Sequence, residues 1–186
     1  MADGNRIIRQ LSFAPQPTAV DGFEPGVAER IMQVFASAKG IMRASGNDSQ
    51  WSDGYPSMET VKADVACGGG YVVEDDGLIV AYFALLPSPE PTYGHIYNGA
   101  WIDDSSPYHV VHRMASVPEA HGIFRSIIDY CFTVGNNIRI DTHRDNSIMQ
   151  HNILKHGFRY CGIILLANGD ERLAFQRIIT PQEDYG

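Results

Sequence analysis

The chain has 186 residues, 44% of them hydrophobic and 19% charged, with a formal net charge of −8. That is enough chain for one domain with a substantial core; the acidic balance argues against nucleic-acid binding, which needs a basic face, and suits a cationic or amine-bearing small partner. Three scattered cysteines (Cys67, Cys131, Cys161) supply neither a disulfide framework nor a zinc cage, no apolar run nears the ~20 residues of a membrane helix, and the opening MADGNRIIRQ is too polar for a secretory signal, so a cytoplasmic protein is expected.

Ile7 to Phe13 reads as a first strand, ended by Pro15 and Pro17. In Ala28 to Lys39, Ile31, Val34, Phe35 and Ala38 follow the i, i+3, i+4, i+7 rule, which predicts a helix that Gly40 can cap. Ala44 to Ser57 is a polar loop carrying Trp51 and Tyr55, which either line an acceptor pocket or, in the case of Trp51, anchor the loop on the core. A short helix is expected near Thr60 to Cys67. Gly68-Gly69-Gly70 precedes a strand rather than a helix, so no helix N-terminus follows to bind a phosphate; it reads as a flexible connection. Val72 to Val80 is a hairpin with Asp76-Gly77 as its turn, and its second strand runs to Leu86, where Pro87, Pro89 and Pro91 break it.

Tyr93 to Trp101 is irregular and aromatic, and Asp103 to Pro107 is a turn cluster. Tyr108 to Ser116 is the next strand. It runs through a Pro-containing turn into a helix from His121 to Val134, whose Ile123, Ile127, Cys131 and Phe124, Ile128, Phe132 make one wide apolar face. Here Gly122 opens a helix directly after a strand, the arrangement in which exposed N–H groups and the positive dipole end hold a phosphate. Ile138 and Ile140 alternate with Arg139 and Asp141 as in a half-buried strand. Asp145-Asn146-Ser147 offers helix caps, Met149 and Ile153 share a helix face, and Lys155-His156-Gly157 closes that helix. A strand follows from Phe158 through Leu166. Asn168-Gly169-Asp170 turns it back into Leu173 to Ile179, read as an exposed edge that a homodimer would use. The order of elements gives a mixed sheet with helices on its faces, α/β or α+β.

Three features together resemble the GNAT superfamily of N-acetyltransferases over roughly residues 58 to 180. They are the strand Val110 to Ser116, the helix opened by His121-Gly122-Ile123-Phe124, and Asp145-Asn146-x-x-Met149 followed by Lys155-x-Gly157-Phe158-x-x-Cys161-Gly162. The resemblance implies a single-domain acyl-CoA N-acyltransferase fold, a mixed central sheet of about seven strands splayed at its two central parallel strands, with helices on both faces. It implies acetyl-CoA as co-substrate, held by the backbone of Met114, Ala115 and Ser116, by the helix opening at His121, Gly122, Ile123 and Phe124, and by Asn146. Glu119 stands where the family carries a cation or amide, Phe124 where it carries a small residue, and Ile153 where many members carry a tyrosine general acid.

Acetyl transfer needs a neutral amine and a proton path. His112, near the splayed end of one central strand, and His143, at the end of the other, are the candidate general bases; a packed core histidine is the plain alternative for each. Cys161 has no His/Asp arrangement around it for covalent chemistry, and His151 and His156, five apart, face different ways, so no metal is expected. Arg139 and Arg144 read as surface partners of Asp141 and Asp145, or as phosphate-steering cations. The expected activity is direct transfer from acetyl-CoA to an amine of a small molecule or peptide, with Trp51 and Tyr55 at the acceptor. The alternative is a catalytically degenerate acyl-CoA-binding or protein-interaction module on the same fold.

Overall fold

The computed structural model describes residues 5–15, 18–52 and 54–180; Pro17 lies outside them. In chain order the elements are β1 (Arg6–Gln10), α1 (Val27–Ala44), α2 (Met58–Ala66), β2 (Gly70–Asp75), β3 (Leu78–Pro87), a 3₁₀ turn at Pro91–Tyr93, β4 (His109–Ser116), α3 (Ile123–Val134), β5 (Asn137–Thr142), α4 (Ser147–Lys155), β6 (Arg159–Leu165) and β7 (Glu171–Ile178). α1 runs beyond the expected stop at Gly40, because its apolar stripe continues to Met42, which packs on the core. One helical glycine costs only about 1 kcal/mol, which such packing offsets. No described helix is long and apolar enough to cross a membrane.

The strands form one seven-stranded sheet in the order β1-β2-β3-β4-β5-β7-β6. β4 and β5 pair parallel and every other neighbouring pair is antiparallel. Side-chain alternation along β3 assigns the helices to faces. Tyr82 meets Phe35 of α1 edge-on, with ring centroids 5.2 Å apart. Its neighbour Phe83 points the other way, toward Tyr130 of α3. α4 joins α3 on that second face, where Phe124 packs against His156 at the end of α4.

Beyond the reach of α1 and α2, the first face is covered by the segment 88–108. Tyr93 and Trp101 bury there against Val110, Cys161, Ile164 and Ala174. Arg139 holds this cover in place, and is not the surface ion pair or phosphate partner expected. It is fully buried, its guanidinium 4.0 Å from the Trp101 ring centroid and 3.7 Å from that of Tyr108, and it donates to the Asp103 carbonyl and the Asp104 carboxylate. β5 is a central strand covered on both faces along its first half, so its polar residues Asn137 and Arg139 are buried too. Arg144, on the turn after β5, pairs instead with Glu171.

Two further readings change. The strand after Asn168 is not an edge: β7 inserts between β5 and β6, and β6 is the outer strand. Its outer side is engaged by Tyr97, which exchanges two 2.8 Å backbone hydrogen bonds with Ile163. Nor are Gly69 and Gly70 a loose connection. A Cβ on Gly70 would sit 2.7 Å from Val65 Cγ2, and one on Gly69 2.8 Å from the Leu85 carbonyl oxygen. Gly70 therefore lets α2 close onto the sheet, and Gly69 lets the chain pass against the β3 backbone.

β4 and β5 pair at only three positions, His109↔Ile138, Val110↔Arg139 and Val111↔Ile140. Beyond them the strands part, leaving the β5-facing backbone of β4 without a strand partner. The parting coincides with a bulge. Tyr82 pairs with Ala115 and Ala84 with His112, so two β4 residues, Arg113 and Met114, oppose the single Phe83. Arg113 takes a left-handed φ of 55°, costly for a long side chain. Its guanidinium is fixed by both oxygens of Asp64 on α2. Asp64 is 3% exposed and also accepts from the Tyr82 hydroxyl at 2.8 Å. Asp64→Ala would strand a largely buried guanidinium without its counter-ion, a loss of about 3–5 kcal/mol, read as a lowered midpoint in urea denaturation.

Candidate active site

Two cavities open on either side of the parted strands. The first, about 530 Å³, lies between α1, the end of β4, the start of α3, and α4. It is lined by Met114, Ala115 and Ser116 of β4, by His121, Gly122, Ile123 and Phe124 at the α3 opening, and by Asn146. The second, about 470 Å³, is lined by Trp51, Tyr55, Glu90, His112, Asp141 and Arg172 among others. Met42, Met114 and Met149 border both. Of the residues the sequence singles out, His143 lines neither; it lies in the β5–α4 turn, where its Nδ1 accepts the Asp145 N–H at 3.2 Å.

The first cavity has the features of an anion cradle. Gly122 caps α3 in the left-handed conformation, φ 74°, with no side chain capping the helix, so the first-turn N–H groups meet no side-chain acceptor. His121, Arg125 and Lys155 stand around the same opening. The ring of Phe124 is 9% exposed and turned into the core and against His156, its centroid 4.9 Å from the imidazole. The backbone at the helix opening is thus lined by a bulky side chain that packs inward. Asn146 caps α4 by accepting the Met149 N–H at 3.0 Å, and its amide donates to Gln50 Oε1 at 2.7 Å. That bond ties the loop before α2 to the turn after β5.

The second cavity collects charge. Because of the bulge, consecutive residues His112 and Arg113 both line it. His112 Nε2 lies 3.3 Å from Glu90 Oε2, and its Nδ1 lies 3.9 Å from Asp141 Oδ1, beyond hydrogen-bond reach. The Tyr93 hydroxyl donates to that same Asp141 oxygen at 2.5 Å. The hydrogen bond from His112, its charge, and further bonds from Thr92 hold the Glu90 carboxyl well below the usual range, at about 2, against the opposing effect of burial. Burial, then the Asp141 charge, pushes the Tyr93 phenol far up, so it stays a donor. Trp51 is buried edge-on against Phe35, 5.8 Å between centroids, and Tyr55 is half-exposed beside it.

Burial also raises the thiol pKa values of Cys131, to about 12, and of Cys161, which leaves them protonated and poor nucleophiles. Among the described residues no group of three His, Cys, Asp or Glu side chains is placed to hold a metal ion. No local pattern singles out Glu90, which stands in a proline-rich break, or Gln50 and Arg172, whose partners are 96 and 122 residues away in the chain. Asp141 carried one usable signal, its alternation with Ile140 beside a strand end.

No family sequence profile matches the chain, and no curated protein does. Solved structures do. An acetyltransferase of the GNAT family from Streptococcus agalactiae 2603 is 30% identical, with 94% of this chain and 96% of that one covered and a TM-score of 0.78. A putative acetyltransferase from Staphylococcus aureus Mu50 shares the fold at 20% identity, with 94% and 99% covered and a TM-score of 0.62. The NatC complex, solved bound to Gag peptide and CoA, shares it at 12% identity, with 94% and 99% covered and a TM-score of 0.53. A sheet parted at its parallel pair, a helix opening onto the gap, and 30% identity along nearly the whole of both chains lead to one conclusion: the chain belongs to the GNAT family of acetyltransferases.

Proposed function

We propose that the protein transfers an acetyl group from acetyl-CoA directly to a primary amine of a small molecule or peptide. The observation that carries this is the pairing of an anion cradle and a base-bearing cavity that meet at Met42, Met114 and Met149 on the two sides of the splay. The first-turn N–H groups of α3 and the side chains of His121, Arg125 and Lys155 suit a pyrophosphate. The unpaired edge of β4 at Met114, Ala115 and Ser116 offers amide groups to an extended arm, and Asn146 borders the same cleft. Bound acetyl-CoA supplies a thioester, whose acyl group passes to the amine as the C–S bond breaks and the CoA thiol leaves.

The chain's own task is to deliver that amine neutral. With Nε2–H donated to Glu90, the His112 lone pair sits on Nδ1, which takes a proton from the incoming ammonium. The resulting imidazolium lies between the Glu90 and Asp141 carboxylates, which stabilise it. Tyr93, donating to Asp141, fixes that carboxylate in place. The same carboxylates attract the ammonium form of the acceptor, which fits the acidic balance of the whole chain.

Acetyl-CoA should raise the thermal midpoint of the protein, and CoA release should follow on some member of an amine panel. No shift at millimolar acetyl-CoA would sink the proposal, and a shift without turnover on any amine would favour a binding module on the same fold. His112→Gln should lower kcat about 10²–10⁴-fold while leaving the acetyl-CoA shift intact; an unchanged kcat would remove His112 from the reaction. Glu90, with its carboxyl depressed to about 2 in the fold from about 4.3 in an unfolded chain, contributes stability that is present above pH ~4.3 and lost as pH falls toward 2. Glu90→Gln should therefore lose stability less steeply than the wild type between those values in pH-dependent urea denaturation.

A further inference from the structure

We infer that the acceptor carries an anionic group, a carboxylate or a phosphate, as well as its amine, and that Arg172 is the residue that receives it. This rests on the acetyl-transfer reading for the identity of the amine, but the anion site stands on its own geometry. Arg172 lines the second cavity and is only 5% exposed. A buried guanidinium normally has a carboxylate partner. Arg172 has none among the described residues: it donates to two backbone carbonyls, of Glu171 at 3.0 Å and Gln50 at 3.3 Å.

The neighbouring carboxylates are engaged elsewhere. The Glu171 side chain goes to Arg144, Asp170 accepts from the Asn168 amide at 2.8 Å, Asp64 holds Arg113, and Asp141 takes the Tyr93 hydroxyl. The other arginine lining the cavity, Arg113, is thus neutralised, and the charge of Arg172 is not. A planar fork with a donor face left over is matched to a carboxylate or phosphate.

Placement fits one small molecule. Ala174 lies directly across from Asp141 in the β5–β7 ladder, and Arg172 is two residues farther along β7, hence on the same face. Diagonal neighbours of this kind stand about 7–8 Å apart. The cavity therefore sets the carboxylates of Glu90 and Asp141 around His112 and the buried Arg172 guanidinium farther along β7, with Asp170 at the exposed rim; a carboxylate or phosphate on Arg172 with an amine toward His112 matches that order. A simple polyamine or an amine with a neutral tail would leave Arg172 uncompensated.

The test uses matched ligands bound to the protein in the presence of CoA, read by titration calorimetry: glycine, β-alanine and γ-aminobutyrate against their amides, and phosphoethanolamine against ethanolamine. At least one acid-bearing member should bind at least about tenfold more tightly than its neutral partner. The carboxylate and phosphate arms identify which anion the site takes. Arg172→Gln should erase the discrimination, and Arg172→Lys, which keeps the charge but not the fork, should retain part of it. Equal affinity within every pair in the wild-type protein overturns the inference whether or not the variants fold, as does discrimination that survives in folded Arg172→Gln. Discrimination in binding with no acetylation of any amine would leave the anion site standing and overturn the acetyl-transfer reading instead.

Discussion

The bidentate contact between Arg113 and Asp64 is the interaction on which the site depends. A bulge in a central strand is unfavourable, and a bulge that puts an arginine at positive φ is more so. Something outside the strand must hold it, and α2 does, by presenting Asp64 to the guanidinium and to the Tyr82 hydroxyl at once. Three results follow from that one constraint. β4 leaves β5 after Val111, which opens the gap. His112 and Arg113 reach the same cavity although they are consecutive. And α2 is drawn onto the sheet, which requires the bare backbone of Gly70 beneath Val65.

The two cavities differ in the charge of their linings. The cradle at α3 relies on backbone N–H groups and on cations around its mouth, a surface for anions. Across the methionine border, the second cavity sets the carboxylates of Glu90 and Asp141 around the His112 imidazole, a surface suited to a cation. The two surfaces meet across apolar side chains, since Met42, Met114 and Met149 border both cavities.

Much of this was legible in the sequence, and the parts that were not share a cause. Helices and strands announced themselves by period: Ile31, Val34, Phe35 and Ala38 are all buried on one face of α1, and Asp76-Gly77 forms the β2–β3 turn with both residues at positive φ. Gly122 and Asn146 were visible because a helix start after a strand needs a cap or a bare N-terminus, a local requirement. What could not be read was set by pairing across the sheet. The insertion of β7 between β5 and β6 turned a presumed edge into an interior strand. Arg139 looked like a surface cation until Trp101 and Tyr108, far from it in sequence, closed over it. Glu90 and Arg172 carry no local signature, since each gains meaning only from a partner that the fold brings to it, the His112 side chain 22 residues on and the Gln50 carbonyl 122 residues back.

The segment 88–108 that brings Glu90 to His112 is fastened at its own base. The Ser88 N–H donates to the Tyr108 carbonyl, the Tyr108 N–H to Ser88 Oγ, and the Glu90 N–H to the Tyr108 hydroxyl, while Arg139 grips the middle. A segment tied in this way is a fixed wall. The exposed residues bordering the second cavity lie elsewhere, at Ser52 and Tyr55 on one side and Asn168 and Asp170 on the other. The doorway is therefore framed by two turns that contribute no strand to the sheet. Its width can be altered, by insertion or by bulkier side chains, while the wall that carries Glu90 behind it stays as it is, so that a lineage built on this scaffold can change the size of the molecule the cavity admits without moving its buried side chains.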